Sequence, residues 1–324
     1  MKEASLNPES RILNPSPRSL AHAAELLRKG KLVAFPTETV YGLGGDATNE
    51  HAIAKIYAAK GRPQFNPLII HIAAKDDAAR YVIWNDVAEK VATAFWPGPL
   101  TLVLPRTNNS PISLLASAGL ETIAIRCPDH EIARTLIKET GRPIAAPSAN
   151  ASGSLSPTSV SHVAESLGNK VDLILDGGSC RVGVESTVLD LTTDAPTILR
   201  HGGITKEMLE SLLGPVGQAT HDDTSPKSPG MLLSHYAPRL PVRLNVTLAQ
   251  EDEAFLLFGN EEALTGGALR LNLSLEGDTV EAAANLFSML HELDQPHLKG
   301  IAVAPIPNTG LGAAINDRLQ RAAI

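Results

Sequence analysis

LVAFPTETVYGLGGDATNEHAIAKIYAAKGRPQFNPLIIHI, residues 32–72, decides the class of the fold. Residues 32–35 form a short apolar run stopped by Pro36, the pattern of a strand entering a turn. Residues 49–59 then set Ile53, Ile56 and Tyr57 on one side of a helix, and residues 68–72 return to an apolar strand. Strand, helix and strand in succession argue for an α/β architecture.

Working outward, residues 16–30 predict a helix, with Ser16 as cap, Pro17 in the first turn and Gly30 at the stop. Downstream, residues 87–95 predict a helix closed by Pro97-Gly98-Pro99. Strands are expected at 101–104, 122–126, 144–146, 173–176, 187–191 and 197–199, with helices at 131–139, 160–167 and 206–213. This predicts a large twisted mixed sheet, whose strand directions the pattern does not reveal. From 214 to 241 proline, glycine and small polar residues dominate, as in a lid or a tether. Strands at 242–246, 254–258, 268–273 and 300–304 and helices at 279–293 and 313–323 follow, enough for a small Rossmann-like α/β domain. The expected division is 1–213, 214–241 and 242–324.

With 43% hydrophobic and 19% charged residues, the 324-residue chain has the composition of an ordinary globular protein. No apolar run approaches the roughly 20 residues that span a bilayer, and the N-terminus lacks a leader pattern. Cys127 and Cys180 form no CxxC pair, so both read as buried thiols in a reducing compartment, with the cytoplasm as the expected location. The net charge of -7 argues against unspecific nucleic-acid binding, which draws its affinity from neutralised phosphates. Functional cations must instead be gathered in a pocket.

Four polar or glycine-rich stretches stand at strand ends, where open α/β sheets bind ligands. Residues 36–44, PTETVYGLG, taken alone read as a turn whose hydroxyls serve local backbone. In KGRPQFNPL, residues 60–68, Lys60 and Arg62 either complement a helix C-terminus or clamp a polyphosphate, and residue types alone leave both open. AAPSAN, residues 145–150, lets a ligand approach the backbone, with Ser152, Gly153 and Ser156 beyond it, whereas a plain N-cap or Asx-turn would account for one of these residues and not for all. GVESTV, residues 183–188, is followed by LRHGG at 199–203. Together with Arg126, the cations at 60, 62 and 200 are candidates to converge. Glu38, Glu121 and Glu185 read as bases or as solvated strand-end carboxylates. The chain has no Walker loop, zinc motif or GxSxG elbow.

Taken together, PTETVYGLG (36–44), KGRPQFNPLIIH (60–71), WPGPLT (96–101), IAIRCPDH (123–130), APSANASG (146–153), ESTVLD (185–190), LRHGG (199–203) and SPGMLLSHYAP (228–238) resemble the YrdC family, specifically its two-domain threonylcarbamoyl-AMP synthases. The tail GLGAAINDRLQRAA (310–323) extends the resemblance across the second domain. The resemblance implies formation of L-threonylcarbamoyladenylate and pyrophosphate from L-threonine, bicarbonate and ATP, with Mg²⁺ on the phosphates. A downstream tRNA threonylcarbamoyl transferase would consume the product, for the adenosine next to the anticodon. It further implies that Arg62, Asn66, Thr122, Ser148, Ser156 and Arg200 contact ATP, with Lys60 as a phosphate partner and Tyr236 reaching over the nucleotide. Thr39, His71, Arg126, Ser186 and the backbone of Ala146 would hold threonine, and 228–238 would be a lid over a water-sensitive product. One departure stands in that lid, where Leu232, Leu233 and Ser234 replace the basic or aromatic residue that relatives often place before His235. Three competing readings are an RNA-binding module, a carbamoyl-handling maturation enzyme and a nucleotide sensor without chemistry. Scarce aromatics (4%) speak against the first, and so do missing acyl-phosphatase and zinc-finger regions against the second. The retained Lys60, Arg62, Arg126 and Ser186 speak against the third.

Overall fold

The computed structural model describes residues 11–219 and 235–324. Helix α1, Pro17–Arg28, begins at Ser16, whose side chain accepts from the Ser19 N–H in a reciprocal capping box. Lys29 is its C-cap and Gly30 follows with φ +69°, a left-handed stop that suits glycine. Helix α2, Glu50–Lys60, is capped by Asn49 and ended by Gly61 in the left-handed region.

The first sheet has eleven strands: β1 Ile12–Leu13, β2 Val33–Phe35, β3 Gly42–Asp46, β4 Ile69–His71, β5 Leu100–Pro105, β6 Thr122–Arg126, β7 Ile144–Ala145, β8 Leu173–Leu175, β9 Thr187–Asp190, β10 Thr197–Arg200 and β11 Gly217–Gln218. Their order is β1-β8-β2-β3-β7-β4-β6-β5-β9-β10-β11. Parallel pairs such as β4 with β6 and β5 with β9 alternate with antiparallel ones such as β5 with β6, so the sheet is mixed as expected.

One face carries the main core, where α2 packs with α3 (Asp86–Phe95), α5 (Val160–Leu167) and α6 (Lys206–Leu213). Helices α1 and α4 (Glu131–Thr140) cover part of the other face, over Val33, Phe35 and Leu173. The rest of that second face holds a small apolar patch of Ile69, Val103, Ala124, Val188 and Leu199, to which no helix among the described residues contributes. This uncovered part is where the cleft lies.

A second sheet, all parallel, has the order β12-β15-β13-β14 with β12 Val242–Arg243, β13 Glu253–Leu257, β14 Leu269–Asn272 and β15 Gly300–Val303. Its core includes residues of α7, Thr279–Leu293, and α8, Gly312–Ala322.

Three local readings need correction. PTETVYGLG contains a central strand, β3, and not only a turn. Glycine is required there because a Cβ on Gly44 would lie 2.7 Å from the Phe35 ring, so close packing overrides poor strand propensity. The strand expected at 242–246 stops at Arg243, since Asn245 adopts φ +57°. Within 214–241, β11 pairs with β10, so sheet structure runs into the stretch whose composition suggests only linker.

Candidate active site

Strand alternation builds the site. Residues two apart face the same way, so Leu102, Ile123 and Ile125 enter the main core while Val103, Ala124 and Ile69 line the uncovered face. By the same alternation His71 and Arg126, direct partners in the β4–β6 register, both reach the cleft. A register shift between Ile198 and Arg200 lets Leu199 join the apolar patch while Arg200 still enters the cleft.

The cleft brings together Thr39, Arg62, His71, Arg126, Ala146, Ser148, Ser186, Arg200 and Tyr236, nine of the expected residues. Thr37, Val40, Gly42, Ile69, Pro147, Glu185 and His235 complete it. Burial holds the His71 imidazole neutral, lowered to about 3, and brings Arg62 down to about 10.

Four expected residues are not among the described lining residues. Asn66 is fully buried, and its side-chain oxygen accepts from Arg62 Nη2 at 2.6 Å, while its Nδ2 has no hydrogen-bond partner among the described residues. Arg62 also donates to the Asn66 and Pro67 carbonyls, which stiffens the 62–67 loop around the guanidinium. Thr122 begins β6, half-buried. Ser156 is buried and donates to Glu185 Oε1 at 2.5 Å. Lys60 departs from the clamp reading: its ammonium donates to the Ser148 and Asn150 carbonyls, both at 2.5 Å, and does not line the cleft. Desolvation, then the charge of Arg62, lowers it well below its ordinary range. Three of the four converging cations therefore share one cleft, and the fourth pins the loop that presents Ser148.

Two candidate bases are paired, not solvated. Glu38 is fully buried with Oε1 2.7 Å from Arg126 Nη2, and Arg126 Nε donates to the Gly98 carbonyl of the WPGPLT stretch. Burial alone would raise the Glu185 carboxyl. The charges of Arg318 and Arg200, with hydrogen bonds from Ser156 and Arg318, outweigh it and hold Glu185 at about 2. Glu121 remains exposed outside the cleft. Ser186 Oγ lies 2.8 Å from Thr101 Oγ1 and accepts from Arg200 Nη2 at 3.1 Å.

The second sheet's domain closes the site, a contribution that no local motif announces. Arg318 of α8, wholly buried, donates to Glu185 and to the His201 carbonyl, and its guanidinium lies 5.1 Å from the Tyr236 ring centroid. Tyr236 has φ +65° and packs with Val40, Leu155 and Val184 into the core of the second domain. Ala237 N–H donates to the Gly153 carbonyl, so the chain after Tyr236 is tied to the first sheet's domain. A Cβ on Gly183 would lie 2.2 Å from the Ala283 carbonyl of α7, which explains glycine where the two domains touch. The expected lid at 228–238 is described only from His235 onward. Leu232, Leu233 and Ser234, with the departure they carry, lie outside the described residues.

Cys127 and Cys180 are free and buried, and burial pushes their thiols to about 11 and 12, so neither offers a thiolate nucleophile. Among the described residues no group of three His, Cys, Asp or Glu could hold a metal ion. Glu185 is the single carboxylate among the described lining residues and is already paired with Arg318.

Known proteins share this arrangement. The family model Sua5_yciO_yrdC, described as "Telomere recombination", matches residues 25–202, and the model described as "Threonylcarbamoyl-AMP synthase, C-terminal domain" matches residues 204–324. The chain is 42% identical to the threonylcarbamoyl-AMP synthase of Bacillus subtilis, over 96% of this chain and 94% of that one. It is 44% identical to the Pyrococcus abyssi protein of the same name, over 93% and 92%. The crystal structure of P. abyssi Sua5 complexed with L-threonine aligns with a TM-score of 0.89 at 39% identity, covering 96% of this chain and 97% of that one.

Proposed function

The chain belongs to the Sua5, YciO and YrdC family with both of its domains, and from that premise we infer that it joins L-threonine, bicarbonate and ATP into L-threonylcarbamoyladenylate, releasing pyrophosphate. It is a nucleotidyltransferase serving the first step of tRNA threonylcarbamoylation. The observation that carries this reading is the gathering of Arg62, Arg126 and Arg200, all buried, around one cleft in an acidic protein.

In this reading Arg62, Asn66, Thr122, Ser148, Ser156, Arg200 and Tyr236 serve ATP, with Lys60 holding the Ser148 loop from behind. The orphaned Asn66 Nδ2 supports a nucleotide acceptor at that position. Thr39, His71, Arg126, Ser186 and the Ala146 backbone serve L-threonine, whose carboxylate suits a guanidinium. The threonine nitrogen takes up bicarbonate-derived CO2. A carbamate oxygen then attacks the α-phosphorus, and the bond to pyrophosphate breaks. Positioning and charge stabilisation accomplish such a step without a covalent nucleophile, in keeping with the inert thiols.

Among the described lining residues the paired Glu185 is the single carboxylate, which makes no cage for a divalent ion. Mg²⁺ is therefore read as arriving on the triphosphate, which hard cations coordinate readily, and no step here is routed through it. The product passes to a tRNA threonylcarbamoyl transferase, and direct contact with tRNA is weak at best for so acidic a chain. Two buried free thiols, and no described helix long and apolar enough to cross a membrane, support a cytoplasmic location. The division into 1–213, 214–241 and 242–324 is retained as a working description of catalytic, closing and supporting segments.

Pyrophosphate release from ATP with bicarbonate tests the reading, comparing L-threonine with L-serine, L-valine and no amino acid. Release that needs both L-threonine and bicarbonate is expected. ATP binding without such release would overturn it.

A further inference from the structure

Thr101 lies in WPGPLT, a stretch to which the reaction above gives no role. It is the second residue of β5 and, by alternation with Leu100 and Leu102, points to the cleft side of the sheet beside Val103. Its parallel partner strand is β9, with Thr101 opposite Val188, so Thr101 stands beside the residue that precedes β9, Ser186. Both residues are almost entirely buried, and their hydroxyl oxygens are 2.8 Å apart.

Distance alone does not say which hydroxyl donates, but the inventory of partners does. Each hydroxyl carries one proton and two acceptor sites. Ser186 Oγ is the hydrogen-bond partner that the Thr101 side chain has among the described residues. Were Ser186 the donor, the Thr101 proton would be buried without an acceptor, an arrangement proteins avoid. With Thr101 as donor, the acceptor sites of Ser186 are filled by Thr101 and by Arg200 Nη2 at 3.1 Å. The proton of Ser186 is then left over, on a residue that lines the cleft. A serine in this state can only donate. It selects an oxygen, carboxylate or carbamate, and rejects an ammonium.

We propose that Thr101 is a positioning residue, whose donated hydrogen bond turns Ser186 into an obligate donor to an oxygen of the amino-acid substrate. The proposal rests on the reading of Ser186 as a threonine contact. It acts on threonine and not on ATP, because Ser186 alone transmits it.

Thr101→Val keeps the branched shape, removes the hydroxyl and sets a methyl beside the apolar Val103 and Val188, so the fold should persist, as thermal unfolding would verify. In pyrophosphate-release kinetics on the full chain, Thr101→Val should raise the KM for L-threonine by about tenfold, the worth of one hydrogen bond. The KM for ATP and kcat should stay within about twofold. Thr101→Ser should restore the KM. In a Ser186→Ala background Thr101→Val should add nothing. An unchanged threonine KM in Thr101→Val, or an equal rise in the Ser186→Ala background, overturns the role of Thr101 while leaving the threonine site intact. An unchanged threonine KM in Ser186→Ala overturns the site reading and this proposal with it.

Discussion

Arg318, in the last helix of the chain, donates its Nε–H to Glu185 Oε2 at 2.8 Å, from one domain into the cleft of the other. The same carboxylate accepts from Ser156, and the same guanidinium lies over Tyr236. The second domain thus supplies the largest of the charges that, with Arg200 and the Ser156 hydroxyl, keep a buried cleft carboxylate ionised.

Removing that charge should be costly. Arg318→Met leaves Glu185 buried without its ion-pair partner, and loss of one partner of a buried pair costs about 3–5 kcal/mol. Chemical denaturation should register the loss, and pyrophosphate release should fall with it. Glu185→Gln added to Arg318→Met should recover part of the stability. A double variant as unstable as the single would mean that the ion pair is not the cause.

Arg62 combines two duties, since it can reach a ligand and it braces the loop from Asn66 to Pro67. Arg62→Ala should lower kcat/KM for ATP by about 10- to 100-fold, the range for hydrogen bonds from a charged group. Far-ultraviolet circular dichroism should stay unchanged. Turnover equal to that of the parent chain would remove Arg62 from the nucleotide site.

At Arg126 the deficit should fall on the amino acid. Arg126→Lys keeps a charge beside Glu38 but loses the planar fork, so threonine KM should rise at least about tenfold with ATP KM little changed. Saturation curves for both substrates would separate the two. A matched rise in both constants would contradict the assignment.

Acid should weaken the contact between the domains. His162 on α5 stacks on His291 on α7 with ring centroids 3.8 Å apart, and His291 Nε2 lies 3.3 Å from the Ser156 carbonyl. Burial, then the charge of His291, brings His162 down to about 4, and burial lowers His291 too. Glu165 and Asp294 oppose that lowering of His291, and Arg239 adds to it. The folded state therefore binds fewer protons than the unfolded one. This stability is full above the unfolded value near 6.5 and is lost as pH falls towards 4. Denaturation midpoints between pH 7 and pH 4 should decline less steeply for His162→Phe than for the parent; parallel declines would place the sensitivity elsewhere.

Much of this molecule was legible in its residues. Ser16 and Gly30 mark helix ends by local chemistry, because a cap needs only neighbouring backbone. The core strands declared themselves as short apolar runs. The glycines of β3 did not, since what permits a strand there is the Phe35 ring, supplied by the neighbouring strand. The cleft was half legible: the polar stretches and the expected gathering of cations pointed to Arg62, Arg126 and Arg200, the resemblance added Ser148 and Ser186, and the structure unites them.

What the sequence by itself determined was the α/β class, the helix boundaries and the identity of the polar stretches, all properties of a chain and its near neighbours. Only the tertiary structure decided that Lys60 serves two carbonyls instead of the cleft, that Glu38 and Glu185 are paired instead of solvated, and that Arg318 belongs to the site. The physical reason is common to all three. A buried charge is defined by the partner that meets it, and those partners lie 88 to 133 positions away in the chain, brought within 3 Å only by folding.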